Sequence, residues 1–139
     1  MKFKSYLAEL IGTLFLTTSI LGSAIAVSTL TADGAVRLLC VAISTVVTLG
    51  LMISLLQPIS GAHFNPAVSL VALINKQIKA NEFVLMVISQ LVGAVLGAMV
   101  ANVMFGHSII ETSSVSRTGA INFFSEMIAT AGQIGRAHV

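Results

Sequence analysis

Three long apolar stretches limit, more than any other feature, what this chain can fold into. They cover residues 6–30, 36–56 and 83–105, and a transmembrane helix needs ~20 predominantly apolar residues. Only 9% of the residues are charged and the mean hydropathy is +1.01, which is typical of proteins embedded in a lipid bilayer. The pattern predicts an all-α, multi-pass membrane protein with three spans and a fourth apolar segment from residue 121.

The first apolar stretch has an alternative interpretation as a secretory signal peptide. Ala24-Ile25-Ala26 resembles the small-residue sequence at which such peptides are cleaved. However, the stretch is longer than the apolar region of a signal peptide, and Glu9 interrupts it early. A membrane span is therefore favoured.

Charged and metal-binding residues are few and scattered. The net charge is only +2, so no basic surface for nucleic acid is expected. The single cysteine, Cys40, lies within an apolar stretch, and the three histidines belong to no Cys/His cluster. The sequence therefore predicts no disulfide, no metal site, no cofactor and no catalytic residues.

The basic residues predict the orientation of the chain, because cytoplasmic loops carry an excess of Lys and Arg. The N-terminus and the connector after residue 75 together carry more of them than the other two loops. We therefore expect the N-terminus to lie in the cytoplasm and the chain to lie in the cell (plasma or inner) membrane. The first group contains Lys2, Lys4, Lys76 and Lys79, and the second contains Arg37 and Arg117.

Residues 58–75 interrupt the series of spans with a loop and a short apolar run. Pro58 should end the second span, because proline disfavours helical geometry in the residue before it. A new helix should begin at Asn65 and Pro66, a strong N-cap residue followed by proline at the first helical position. Its run to Ile74 is too short to cross a bilayer. We expect a re-entrant loop and half-helix, which mark solute pathways; an ordinary capped helix after a cytoplasmic loop is the alternative.

Two short segments indicate an internal repeat. Residues 8–13 and 125–130 share Glu, Ile and Thr at matching positions, and each places a carboxylate, Glu9 or Glu126, inside an apolar segment. Three spans lie between them, so the second copy would cross the membrane in the opposite direction, as in inverted-repeat transport proteins. We expect residues 1–120 to be a first repeat and 121–133 to begin a second, although chance similarity is the alternative for so short a match.

Small residues recur every fourth position along the third span. Such a stripe lets the backbones of neighbouring helices approach closely in lipid. Helix packing is the favoured interpretation, and the wall of a pore is the alternative. The stripe contains Ser89, Gly93, Gly97 and Ala101.

The segment from Ser60 to Val68 resembles the first Asn-Pro-Ala loop of the aquaporin (major intrinsic protein) family. Residues 8–13 resemble the start of that family's first helix, and Gln90 resembles the glutamine of its third helix. The resemblance covers residues 1 to about 132 and implies an aquaporin-like fold, of which this chain holds the first inverted repeat and the start of a fourth span. It also implies a homotetramer when the chain is full length.

The resemblance implies a role for each matching residue. Asn65 would donate its amide to a solute at the pore centre, and Pro66 and Ala67 would complete the motif and hold the two half-helices together. Carbonyl groups of the loop would form a ladder of acceptors, and buried polar residues would support the loop. The ladder contains Gly61, Ala62, His63 and Phe64, and the supporting residues are Glu9, Gln90 and Glu126. The implied function is a passive channel for water or small neutral solutes, and not an enzyme.

Thr45 occupies the position, twenty residues before Asn65, at which water-selective members of the family place Phe and glycerol-selective members place Trp. The smaller side chain predicts a wider and less water-selective filter. A helix-packing hydroxyl bonded to its own turn is the alternative.

The last residues, 134–139, place Arg136 and His138 where the middle of a span is expected. Their codons can be those of a common short-read sequencing adapter, so we expect a non-native tail on a fragment; a genuine short tail is the alternative. A natural half-channel that conducts only with a partner half is a second functional hypothesis. A carrier is disfavoured, because no intramembrane Lys, Arg or Asp pair offers a coupling site.

Overall fold

The computed structural model describes residues 3–111, 119–122, 124–125 and 127–128. It contains four helices, α1 (Phe3–Leu30), α2 (Gly34–Ser60), α3 (Pro66–Ile74) and α4 (Ala80–Met104), and the described residues include no β-strand. Helices α1, α2 and α4 are long and apolar enough to span a membrane, which confirms the predicted all-α, multi-pass fold. The described residues between 120 and 128 are also helical, in the region of the predicted fourth segment.

Helix α2 continues beyond Pro58, the residue that was predicted to end it. Pro58 lies inside the helix, which runs on to Ser60. Proline removes one backbone hydrogen bond, but in lipid-embedded helices local adjustments can compensate for that loss. The helix stops instead at Gly61, whose left-handed backbone (φ 88°) lets its N–H donate to the carbonyl of Gln57. The loop is therefore shorter than predicted and covers residues 61–65.

A short connection and a cluster of hydroxyl groups hold α1 against α2. Asp33 caps α2, because its carboxylate accepts hydrogen bonds from the second and third following N–H groups, those of Ala35 and Val36. Deeper between the helices, the Ser19 Oγ lies 2.7 Å from the Ser44 Oγ and accepts a hydrogen bond of 2.7 Å from the Thr48 hydroxyl. Hydroxyl hydrogen bonds of this kind link helices in lipid.

Glycines bring α1 and α4 into close contact. A Cβ atom on Gly93 would overlap the carbonyl oxygen of Leu10, and one on Gly97 would overlap that of Leu14. Only glycine permits this approach, so the packing interpretation of the stripe is confirmed at these positions. Ser89 differs, because its hydroxyl donates to a carbonyl of its own turn. The buried members of the stripe are Gly93, Gly97 and Ala101.

Candidate functional site

The loop between α2 and α3 has a backbone that few sequences adopt. Gly61, Ala62 and Phe64 have positive φ angles of 88°, 51° and 49°, in the left-handed region that residues other than glycine seldom occupy. Residues held in that region depend on surrounding structure to keep them there. The neighbours of the loop therefore determine its shape.

Glu9 of α1 supplies most of that support. Its carboxylate is fully buried and accepts four hydrogen bonds. Oε1 accepts from the Ser60 hydroxyl at 2.6 Å and the His63 N–H at 3.0 Å. Oε2 accepts from the Phe64 N–H at 2.7 Å and the Gln90 side-chain amide at 2.8 Å. A carboxylate offers about four acceptor positions, and all four are occupied, which compensates for burying the charge in the membrane.

A second chain of hydrogen bonds links α4 to the histidine of the loop. The Gln90 amide also donates to the Ser69 Oγ at 3.0 Å, and that oxygen lies 3.0 Å from the His63 Nδ1. Ser69 is fully buried, and its hydroxyl therefore links the side chain of Gln90 in α4 to the ring of His63 in the loop.

The Phe64 side chain fixes the loop from its other side. Its ring is buried against the backbone of α1, where a Cβ atom on Gly12 would overlap it. Glycine at residue 12 therefore makes the space into which the ring fits. Together with the Glu9 carboxylate, this contact holds Phe64 in its left-handed conformation.

The backbone donors and the backbone acceptors of the loop are used differently. The N–H groups of all four residues from 61 to 64 donate hydrogen bonds to Gln57, Ser60 or Glu9. Within the described part of the chain, no backbone N–H donates to the carbonyl groups of the same four residues. Buried or membrane-embedded carbonyls normally have partners, so this loop presents a row of hydrogen-bond acceptors.

Helix α3 begins where the loop ends. Asn65 is its N-cap, and its side-chain oxygen accepts from the Ala67 N–H at 2.9 Å, with Pro66 in the first turn. The predicted start of a helix at Asn65 and Pro66 is confirmed. Because the side-chain oxygen is committed to the cap, the amide nitrogen of Asn65 is the donor end of the side chain. The helix N-terminus adds a positive partial charge of about half a unit.

Thr45 lies apart from these groups, on the middle of α2. Its hydroxyl donates to the carbonyl of Val41 at 2.7 Å, one turn earlier in the same helix. This hydrogen bond is the one expected of a hydroxyl that packs within its own helix. The side chain is partly exposed, and its methyl group is not used by the hydrogen bond, so the filter role stays a prediction. Glu126, the remaining predicted site residue, lies outside the described residues.

Three further residues of the site, Gly12, Ser60 and Ser69, were not predicted from the sequence. Each makes its important contact with a residue far along the chain, at separations of 51 residues for Ser60 with Glu9 and 21 for Ser69 with Gln90. Only the positions of the two serines gave a signal, because Ser60 begins the motif of the loop and Ser69 directly follows it. Nothing in the sequence indicated which side chains they would contact.

The fold and this site define a multi-pass membrane protein whose loop between α2 and α3 is held by side chains of two apolar helices, α1 and α4. The chain belongs to the major intrinsic protein family, whose model matches residues 1–135.

Individual relatives agree with that assignment. The chain is 38% identical over 127 residues to an aquaglyceroporin, AqpS, of Rhizobium meliloti (strain 1021), a match that covers 91% of this chain and 54% of the relative. It is 36% identical over 96 residues to Aquaporin-5 of Rattus norvegicus, covering 69% of this chain and 35% of the relative. It is 34% identical over 116 residues to Aquaporin TIP2-3 of Zea mays, covering 81% and 47%. The chain thus spans about half the length, or less, of these relatives.

Proposed function

We propose that this chain is the first repeat of a passive channel for water and small neutral solutes, including glycerol-like molecules. The observation that carries the proposal is the loop itself: its N–H groups all donate to Gln57, Ser60 or Glu9, and no backbone N–H of the described residues donates to the carbonyls of residues 61–64. Such a row of acceptors can replace part of the hydration shell of a solute at membrane depth.

Asn65 supplies the complementary donor at the end of this row. Its amide and the N-terminus of α3 would place positive partial charge at the centre of the path, which opposes cations and interrupts a proton wire. No step of this function requires a catalytic residue, metal or cofactor. The names of the relatives, aquaglyceroporin and aquaporin, are consistent with either water or glycerol as a solute.

Replacing Asn65→Asp in the full-length channel tests the proposal. Aspartate keeps the cap oxygen but replaces the donor with a charged acceptor, so we expect water flux to fall by at least tenfold. Osmotic shrinkage of proteoliposomes at equal protein density measures this flux. Asn81→Asp, at an exposed position in the first turn of α4, is the matched control. Unchanged flux in the Asn65 variant, with the control also unchanged, would remove Asn65 from the path.

We also propose that Thr45 lines the selectivity filter. A Thr45→Phe substitution would narrow the path, so glycerol flux should fall more than water flux. Val46→Phe is the control, because Val46 is the next residue of α2 and is 69% exposed. Equal losses of both fluxes, or no loss, would leave Thr45 with the packing role that its bond to Val41 suggests.

A half-channel that assembles with a separate partner is the second candidate. The four donors to the Glu9 carboxylate all belong to this chain, so the loop has this support without a second half. Liposomes that hold these 139 residues alone should show no water flux above empty liposomes, because one half-helix leaves the path open to lipid. Flux from the chain alone would contradict both candidates.

The remaining features of the proposal concern placement and assembly. We propose a cytoplasmic N-terminus in the plasma or inner membrane, since Lys4 and the Lys76–Lys79 connector flank the spans at one end. We also propose that the full-length protein forms a homotetramer and binds no nucleic acid. Residues 121–133 would begin the second repeat, and residues 134–139 would be a non-native tail.

A further inference from the structure

A groove of about 640 Å³ lies between α1 and α2, at the end of the bundle where α1 finishes and α2 begins. We call it the outer groove. Most of its walls are apolar, and a single charged side chain, Arg37, lines it. The residues that matter for its position are Ile20, Ala24 and Val27 of α1 and Arg37, Leu38 and Val41 of α2.

The outer groove lies on the same faces of α1 and α2 as the functional site. Val27 follows Glu9 by 18 residues, which is five turns of an α-helix, so both lie on one face of α1. On α2, Thr45 follows Leu38 by seven residues and Val41 by four, so it continues the groove wall one turn deeper. The groove and the loop are therefore two segments of one continuous side of the α1–α2 pair.

The guanidinium of Arg37 is fixed at the mouth of this groove. Its Nε donates to the carbonyl of Thr31 at 2.7 Å, and its Nη2 donates to the carbonyl of Ser28 at 3.0 Å. These bonds use carbonyls at the end of α1, and a guanidinium has five N–H donors in all. Within the described residues no carboxylate forms an ion pair with Arg37. The remaining donors and the full positive charge are available to a solute.

We propose that Arg37 is a specificity-determining residue of the outer groove, where it favours solutes that carry oxygen acceptors, neutral or anionic, and repels cations. This inference rests on the proposed channel function and adds a second selective position to it, outside the loop. A fixed charge beside low-dielectric walls acts strongly on ions that enter such a cleft. The competing explanation is that Arg37 only caps the carbonyls at the end of α1.

The test measures the potential inside the groove with charged thiol reagents. Val41→Cys is introduced into the full-length channel with Cys40→Ala, and the rates of modification by an anionic and a cationic methanethiosulfonate are compared in proteoliposomes. Replacing Arg37→Gln should lower the ratio of anionic to cationic rate about five- to tenfold, as expected for one charge within about 7 Å. Arg37→Lys, which keeps the charge, should retain the ratio.

Controls and outcomes separate this inference from the channel function. Lys4→Gln removes one positive charge near the opposite end of α1 and should leave the ratio unchanged. A ratio that is the same with Arg37→Gln, or no modification of residue 41 by either reagent, would overturn the inference. Water and glycerol fluxes of the same preparations test the channel itself. Normal flux without charge preference overturns only the role of Arg37, whereas absence of flux overturns the proposed function.

Discussion

Helices α2 and α4 are both long and apolar, yet they are used differently. In the spanning part of α4, 22% of the residues are buried within the chain, against 6% in α2. Helix α4 carries Gly93 and Gly97, which meet the backbone of α1, whereas a Cβ atom on Gly50 of α2 would contact nothing within 4 Å. Hydropathy therefore places both helices in the membrane, but the positions of glycine and of buried polar groups decide which helix is packed and which keeps an open face.

The largest expected effect comes from the polar cluster that α1 and α4 share. Glu9→Ala would leave four hydrogen-bond donors without their acceptor, each at a cost of about 1–3 kcal/mol when buried. We expect the free energy of unfolding to fall by roughly 4 kcal/mol or more, measured by SDS titration in mixed micelles. Glu111→Ala, at an exposed site, is the control. A loss under about 1 kcal/mol would mean that the cluster is not what holds α1 to α4.

The glycine contacts give the next largest effect and test the comparison directly. Gly93→Ala places a methyl group against the carbonyl of Leu10, so the free energy of unfolding should fall by about 1–3 kcal/mol. Gly50→Ala, in the open helix, should leave it unchanged or raise it slightly, because alanine is the better helix former. Equal effects of the two substitutions in the same titration would show that α2 is as tightly packed as α4.

A smaller effect is expected where α3 joins α4. Ser69→Ala removes the hydroxyl between Gln90 and His63, which should cost about 1–2 kcal/mol of unfolding free energy. It also removes the hydrogen-bond partner of the His63 Nδ1, so the ¹⁵N shifts of the His63 ring should change. Ser89→Ala is the control, since that hydroxyl bonds only to its own turn. Identical spectra for wild type and the Ser69 variant would contradict the hydrogen bond between Ser69 and His63.

The smallest effect is expected between α1 and α2. Ser19→Ala breaks the hydrogen bonds to Ser44 and Thr48, and interhelical hydrogen bonds in membranes contribute about 0.6 kcal/mol on average. The same SDS titration should therefore register a loss near the limit of detection. Ser54→Ala, whose hydroxyl bonds within α2, provides the baseline. A loss above about 2 kcal/mol would show that hydroxyl groups bind α2 as firmly as glycines bind α4.

Features that depend on neighbouring residues could be predicted from the sequence. The three spans follow from the length of the apolar runs, and the start of α3 follows from Asn65 and Pro66, because capping acts within one turn. The end of α2 was predicted wrongly at Pro58. In water, proline is a strong helix breaker. In lipid, a backbone N–H without a hydrogen-bond partner costs more free energy, so the residues after Pro58 are more stable in the helix than out of it. The helix therefore ends only at Gly61.

Features that depend on helix rotation could not be predicted in the same way. The glycine stripe indicated close packing, but not that its partner would be the backbone of α1 at Leu10 and Leu14. The contact of Phe64 with Gly12 requires a left-handed residue other than glycine, which local preferences disfavour. Such contacts depend on the relative rotation of α1 and the loop, which a sequence pattern alone does not specify.

The Glu9 cluster also sets an order of events during synthesis. The carboxylate is made early, but Gln90, one of its four partners, follows 81 residues later. At about 5–20 residues per second, this interval is on the order of 4–16 s. During that time α1 holds a carboxylate whose partners are incomplete, in or beside the bilayer. Helix α4 must therefore be inserted before the loop reaches its final form. A ribosome that slows between residues 65 and 90 would lengthen the time during which the incompletely paired Glu9 carboxylate is exposed to cellular quality control.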